Sequence, residues 1–401
     1  MWAGAVVIDG PKAVGKTETA KQVANSYSYL DNDQGQRQLA LADPSLVLDG
    51  DTPRLIDEWQ IVPAVWNAVR RAVDERQQPG QFVLTGSATP ADDVTRHTGA
   101  GRFTRVRMHP LSLVETGHST GHVSLRALLN GDAPRDSGSG ADLAMLVERI
   151  ISGGWPASQS MPLAQAAQYA RSYLDQIARL EIVGLVEVRH DPIKVAALLR
   201  SLARTTASET SIATLARDTV GEAGSLHRDT VSRYLDALQR AHLIEVQEAW
   251  NVALRTRTSL RGTPKRHLAD TSLITAALRV SSPAMLMNDP ETLGLVFESL
   301  VMQQLRTFAD LIDADVRHFR DSSGLEVDAI VEHSDGRWGA FEVKLGAGMI
   351  EQASSTLQRF AKQVDTGRRQ PPTVLAVIVP TGPSYRRSDG VSVVALTSLG
   401  L

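Results

Sequence analysis

The chain contains no cysteine. That absence excludes a disulfide scaffold, a thiolate zinc site, an iron–sulfur cluster and a cysteine nucleophile. Long apolar runs are missing as well, since none approaches the ~18 residues needed to span a bilayer. The N-terminus lacks the marks of a signal peptide: its apolar run Ala5–Ile8 is short and no basic residue precedes it. A cytoplasmic protein without membrane association is the expectation. Nor is there an excess of one charge, with 42 Lys and Arg against 45 Asp and Glu and a net charge of −3. Contact with nucleic acid would therefore need a local basic patch.

What is present is ordinary for a globular protein. The 401 residues are 42% hydrophobic and 22% charged, enough for two or three domains with buried cores. An α/β class is expected. In the first hundred residues short apolar strands (Ala5–Ile8, Arg54–Ile56, Gln81–Thr85) alternate with helical sequence (Thr17–Ser26, Val65–Glu75), a rhythm that implies a mostly parallel sheet. Residues 131–140, GDAPRDSGSG, read as a surface loop or linker. Domains are expected at 1–130, 141–270 and 271–401.

The middle domain reads as helical, with a winged helix near its end. Helices Ser211–Val220 and Arg228–Ala241 flank the glycine-containing stretch Gly221–Ser225, and strand-like Leu243–Ala249 follows. The first turns of the second helix display Arg228, Thr230 and Arg233, types that touch DNA phosphates or base edges. Arg255, Arg257, Arg261, Lys265 and Arg266 then form a basic wing that favours DNA.

Gly10-Pro11-Lys12-Ala13-Val14-Gly15-Lys16-Thr17 fits G-x-x-x-x-G-K-[ST]. The two glycines let the backbone wrap phosphates with its N–H groups. Lys16 can reach β- and γ-phosphate oxygens, and the Thr17 hydroxyl can ligate Mg²⁺. The helix that follows adds its positive dipole end. ATP and Mg²⁺ are the expected cofactors. In LIDEWQ an apolar strand delivers Asp57, which can hold Mg²⁺, and Glu58, placed to act as general base toward water. Thr85 and Ser87 end a third strand, either as γ-phosphate sensors or as an ordinary strand-to-loop turn. Arg102, in a glycine loop, is expected to serve as an arginine finger, within the chain or on a neighbouring subunit of a homo-oligomer.

Toward the C-terminus, Glu326 and Asp328 share one strand face, as do Glu342 and Lys344. Trp338 and Ala340 precede Glu342 on its face while Phe341 and Val343 line the other, the pattern of a central strand. Charge at the end of such a strand calls for a metal or a counter-charge, as does Glu298 on an apolar helix stripe.

Taken together, GPKAVGKT, LIDEWQ, FVLTGSA, GRFTRVRMHPLSLVE, TVSRYLDALQRAHLI, TPKRHLADTSL, LVFESLV, LEVDAIVE and FEVK resemble the prokaryotic AAA-type ATPase family in which a small P-loop domain precedes a conserved domain of unknown function. The resemblance implies ATP binding, an AAA-type P-loop core and a C-terminal part like a PD-(D/E)XK nuclease fold. It further implies that Glu298, Asp328 and Glu342 gather Mg²⁺ while Lys344 orients water or stabilises phosphate charge. Members of that family usually carry additional residues before the first strand that help to cover the adenine, so the resemblance leaves adenine recognition open. The expected function is a Mg²⁺-dependent ATPase coupled to a DNA-interacting, nuclease-like C-terminal domain. The alternative is a non-hydrolytic nucleotide switch that binds a protein partner, with a degenerate nuclease fold as scaffold.

Overall fold

A computed structural model describes residues 3–87, 99–181, 191–219, 226–250, 262–364 and 369–401. These fall into two compact units rather than three. Residues 3–109 and 235–243 form the first, and Pro110–Leu180, Asp191–Tyr234 and Ile244–Leu401 contribute the second.

In the first unit, strands β1 (Ala5–Asp9), β2 (Ser26–Tyr29), β3 (Arg54–Asp57), β4 (Phe82–Gly86) and β5 (Phe103–Arg107) make a sheet in the order β2-β3-β4-β1-β5. Every pairing is parallel. The apolar residues of β1 alternate between two cores, as a strand covered on both faces requires. Ala5 and Val7 join Leu30, Ile56, Trp59, Trp66, Phe82 and Leu84 on one face. Val6 and Ile8 join Ala20, Leu55 and Val83 on the other.

The first helix is shorter than expected, Lys16–Lys21 rather than Thr17–Ser26. The chain from Ser26 to Tyr29 is instead edge strand β2, paired with β3. Its sequence, SYSY, alternates serine with strand-favouring tyrosine, but four residues without an aliphatic face are too short a pattern to mark a strand before a neighbour supplies the ladder. Helix Gln34–Ala42, capped by the Asp33 carboxylate on Gln36 N, was also not foreseen.

The second unit is built on a six-stranded sheet. Strands β9 (Ala314–Arg320), β10 (Glu326–His333), β11 (Trp338–Val343), β12 (Val374–Val379), β13 (Tyr385–Arg386) and β14 (Ser392–Ala395) lie in the order β13-β14-β12-β11-β10-β9. The β9-β10-β11 part is antiparallel and β11-β12-β14 is parallel. Helix Ile350–Gln363 packs Leu357 and Phe360 against Trp338, Val327 and Val377. Strand β11 is central and buried throughout, as its two apolar faces imply.

Two smaller pairings tie distant segments into this unit. β7 (Ile244–Gln247) pairs antiparallel with β8 (Lys265–Leu268). β6 (Val123–Ser124) pairs with the terminal β15 (Leu399–Gly400). Asp136 bridges Ser384, and the Ser119 hydroxyl donates to Leu399 O at 2.7 Å. Residues 110–130 thereby pack with the C-terminal sheet. The 131–140 stretch is tethered at Asp136 rather than a free linker. The helix Pro290–Asp310 and β8 are joined through Lys265–Glu298 and His267–Ser299 contacts.

Helices Ile212–Asp218 and Arg228–Arg240 precede the β7–β8 hairpin. The stretch Gly221–Ser225 between them lies outside the described residues. Among the described residues no helix is long and apolar enough to cross a membrane.

Candidate functional site

The phosphate loop leaves the carboxyl end of β1. A Cβ on Gly10 would lie 2.5 Å from Met108 O, so only glycine fits there. Gly15 has φ +98° and caps the helix Lys16–Lys21, so it too needs glycine's freedom. Val14 is buried, while Lys12 and Ala13 face outward. Lys16 is 5% exposed, and its Nζ donates to Gly10 O at 2.9 Å and Pro11 O at 2.7 Å. Burial lowers its pKa to about 8, against the opposing pull of Glu58, Asp57 and Asp9.

Asp57 ends β3 and faces the loop. The Thr17 hydroxyl donates to Asp57 Oδ1 at 2.8 Å. Thr85, at the end of the intervening strand β4, also donates to Asp57 Oδ1. Glu58 follows in a left-handed conformation, φ +52°, which turns the chain out of the strand. Its Oε2 accepts from Ser87 Oγ at 3.1 Å and from Gln60 Nε2. Thr85 and Ser87 thus hold the two acids. That positioning role was not among the two expected for them.

Other groups of this unit surround the site without a sequence signal. Asp9, last residue of β1, pairs with Arg105. Burial raises its pKa and Arg105 works against that. His242 lies beyond the C-terminal end of the helix Arg228–Arg240, at φ +57°. Its Nε2 is buried and has no hydrogen-bond partner among the described residues. Burial, then the charges of Arg107, Lys16 and Arg105, hold its pKa down at about 3, so the ring is neutral.

Arg102, the expected finger, lies away from the phosphate loop. Its carbonyl accepts from Ala5 N at the amino end of β1, whereas the phosphate loop leaves the carboxyl end. Four strand residues, about 13 Å, separate those ends. The Arg102 side chain donates instead to Asp74 at 2.8 Å and to Ala100 O at 3.0 Å.

In the second unit the C-terminal acids do converge, but around lysines. Lys344 Nζ lies 2.6 Å from Glu342 Oε2 and 3.3 Å from Asp328 Oδ2. The Val343 N–H donates to Asp328 Oδ2 at 2.8 Å. A β-bulge between Val327 and Ile330 re-aims this part of β10. Lys265, placed by the sequence in an exposed basic wing, is 2% exposed and lies inside the cluster. Its Nζ is 2.9 Å from Glu298 Oε1, 2.9 Å from Glu326 Oε1 and 3.9 Å from Asp328 Oδ1. Arg266, next along β8 and half-buried, donates to Thr210 O at 2.8 Å. Arg255, Arg257 and Arg261 lie outside the described residues.

Four carboxylates here face two ammonium groups. Burial, then repulsion by Asp328, pushes the pKa of Glu298 and of Glu342 well above the ordinary carboxylate range. Burial opposes the charge of Lys265, but Glu298, Asp328 and Glu326 overcome it and raise its pKa. Among the described residues no group of three or more His, Cys, Asp or Glu is arranged to hold a metal ion. The expected Glu298–Asp328–Glu342 set is divided between Lys265 and Lys344 instead.

Residues 3–117 match a family model described as an AAA domain. Residues 143–284 and 293–399 match two described as domains of unknown function, DUF8612 and DUF4143. Two proteins named as uncharacterized, Mb2031c of Mycobacterium bovis and Rv2008c of Mycobacterium tuberculosis, are each 29% identical to this chain over 348 residues. The match spans 85% of this chain and 70% of theirs. Among solved structures, the Walker-type ATPase PABY2304 of Pyrococcus abyssi is similar over 69% of this chain and 91% of its own, at 11% identity and a TM-score of 0.38. The AAA-domain match and the loop geometry agree. Residues 3–117 are thus similar to the AAA domain in sequence, and their loop has the geometry of a phosphate loop.

Proposed function

We propose that this chain binds ATP with Mg²⁺ at the carboxyl edge of its parallel sheet and hydrolyses it. The observation that carries this reading is the Thr17 Oγ1 to Asp57 Oδ1 hydrogen bond of 2.8 Å, with Glu58 one residue further on. The backbone N–H groups of Gly10–Thr17 bind the phosphates, and Lys16 exchanges its carbonyl partners for β- and γ-phosphate oxygens. A hydroxyl and a carboxylate in contact are hard oxygen donors that suit Mg²⁺. Thr17 and Asp57 would hold the ion, which when bound neutralises charge on the phosphates. Glu58, steadied by Ser87 and Gln60, orients the attacking water and accepts its proton. Mg²⁺-dependent ATP turnover, measured with and without DNA, is the test. Tight nucleotide binding with negligible turnover would favour the switch reading.

DNA contact rests on fewer residues than expected. Arg228 and Arg233 are exposed on the helix Arg228–Arg240, and the helix, helix, hairpin order supports a winged helix. Lys265 does not contribute, being buried among carboxylates. For the C-terminal domain, convergence of Asp328, Glu342 and Lys344 supports the nuclease reading. The position of Lys265 favours the scaffold alternative instead.

A further inference from the structure

We propose that Lys265 is the resident cation of the C-terminal carboxylate cluster and keeps divalent metal out of it. The site is then a latent metal centre closed by an ammonium group. This inference is independent of the ATPase reading, since it concerns only residues of the second unit.

The first argument is coordination. An ammonium has three N–H donors and no acceptor. Lys265 Nζ faces Glu298 Oε1, Glu326 Oε1 and Asp328 Oδ1 at 2.9, 2.9 and 3.9 Å, acceptors drawn from the helix Pro290–Asp310 and from β10. The other Asp328 oxygen is occupied too, by Lys344 Nζ and Val343 N. A divalent ion would need several of these same oxygens at about 2.0–2.6 Å. It would then sit close to two ammonium groups, with little water to screen the repulsion.

The second argument is that Lys265 cannot readily swing away. Its strand is fixed on both sides, by the Lys265–Gln247 register of β7–β8 and by the isolated bridge between Lys265 and Glu209. Gln247 Nε2 donates to Asp328 O at 2.9 Å, tying β7 to the strand that carries two of the acids. His267, two residues along β8, contacts Ser299 Oγ at 2.9 Å and Gln247 Oε1 at 3.0 Å. At 2% exposure the lysine has no alternative partner in water. Leaving its acids unpaired would be strongly unfavourable.

The test is a Mn²⁺ titration of the full chain without nucleotide, followed by electron paramagnetic resonance, for wild type, Asp328→Asn, Lys265→Ala and Lys265→Met. Wild type should show no Mn²⁺ site that Asp328→Asn removes. Lys265→Ala should gain such a site, and adding Asp328→Asn to it should abolish the gain. Lys265→Met retains much of the buried stem, and serves if the alanine variant fails to fold. An Asp328-dependent Mn²⁺ site in wild type overturns the proposal, whatever the variants do. So does a folded Lys265 variant, with a cooperative thermal transition, that gains no Mn²⁺ site.

Discussion

Thr17 and Asp57 are forty residues apart in the chain and 2.8 Å apart in the structure, hydroxyl to carboxylate. Strand β4 stands between β1 and β3 in the sheet, and its Thr85 reaches the same Asp57 oxygen. Parallel pairing brings the carboxyl ends of all three strands to one edge. There the phosphate loop, the metal-type donors and the general-base candidate meet.

Lys16→Ala should weaken ATP binding, whereas Glu58→Gln should retain binding and lose about 10²–10⁴ in turnover. Equilibrium nucleotide binding and single-turnover hydrolysis separate the two effects. Unchanged turnover in Glu58→Gln would falsify the role given to that carboxylate.

Ser87→Ala removes a donor from Glu58 and should lower kcat by about tenfold with little change in ATP affinity, a hydrogen bond to a charged group contributing about 1.5–3 kcal/mol. Thr85→Val should act on Asp57 and so weaken the Mg²⁺ requirement's apparent affinity instead. If both variants change the same parameter equally, the two hydroxyls do not divide the acids between them.

ATP affinity should be flat below pH 8 and weaken by about tenfold per pH unit above it, because the free protein's Lys16 loses its proton near there. The sign for stability is opposite. A lysine whose folded pKa lies below its unfolded 10.5 makes the unfolded chain bind more protons between those values, so this group's contribution rises with pH across the window. Titration calorimetry from pH 6.5 to 9.5 checks the binding half, and a profile flat to the upper limit contradicts it.

Glu298 and Glu342 have folded pKa values raised from 4.5 to about 8, so the folded chain binds more protons than the unfolded one in that window. Their contribution to stability is present in full below pH 4.5 and is lost as pH rises toward 8. Thermal unfolding should show a decline over that range that Glu342→Gln makes shallower. The same slope in variant and wild type would remove Glu342 from the effect.

Arg102→Ala should leave hydrolysis nearly unchanged. It should cost only about 0–1 kcal/mol of stability, since it removes an exposed pair with Asp74. A large loss of turnover, restored on mixing with Lys16→Ala protein, would show instead that Arg102 acts on a neighbouring subunit.

The contrast between Glu58 and Lys265 shows which parts were legible. Glu58 could be found because its chemistry is contiguous: an apolar strand end and two acids, beside a phosphate loop with its own fixed spacing. The C-terminal strands and the helix Ile350–Gln363 were legible for a similar reason, their alternation and periodicity being local. Lys265 sits among basic residues, and no local pattern distinguishes a buried lysine from a solvated one. Its partners lie 33, 61 and 63 positions away, so only the packed sheet reveals them. The placement of Arg102 was hidden for the complementary reason. Proximity in sequence to a glycine loop says nothing about which end of a strand a residue occupies, and register alone decided that.

The sequence by itself determined the phosphate loop, the Asp57–Glu58 pair, the parallel N-terminal sheet and the central position of β11. Each rests on residue types at short, fixed spacings, which local backbone geometry turns directly into placement. Tertiary structure alone decided that Ser26–Tyr29 is a strand, that residues 110–136 pack with the C-terminal sheet, that Arg102 faces Asp74, and that Lys265 fills the carboxylate cluster. Those outcomes depend on hydrogen-bond ladders and charge pairings between distant segments, and such partners exist only once the chain has folded.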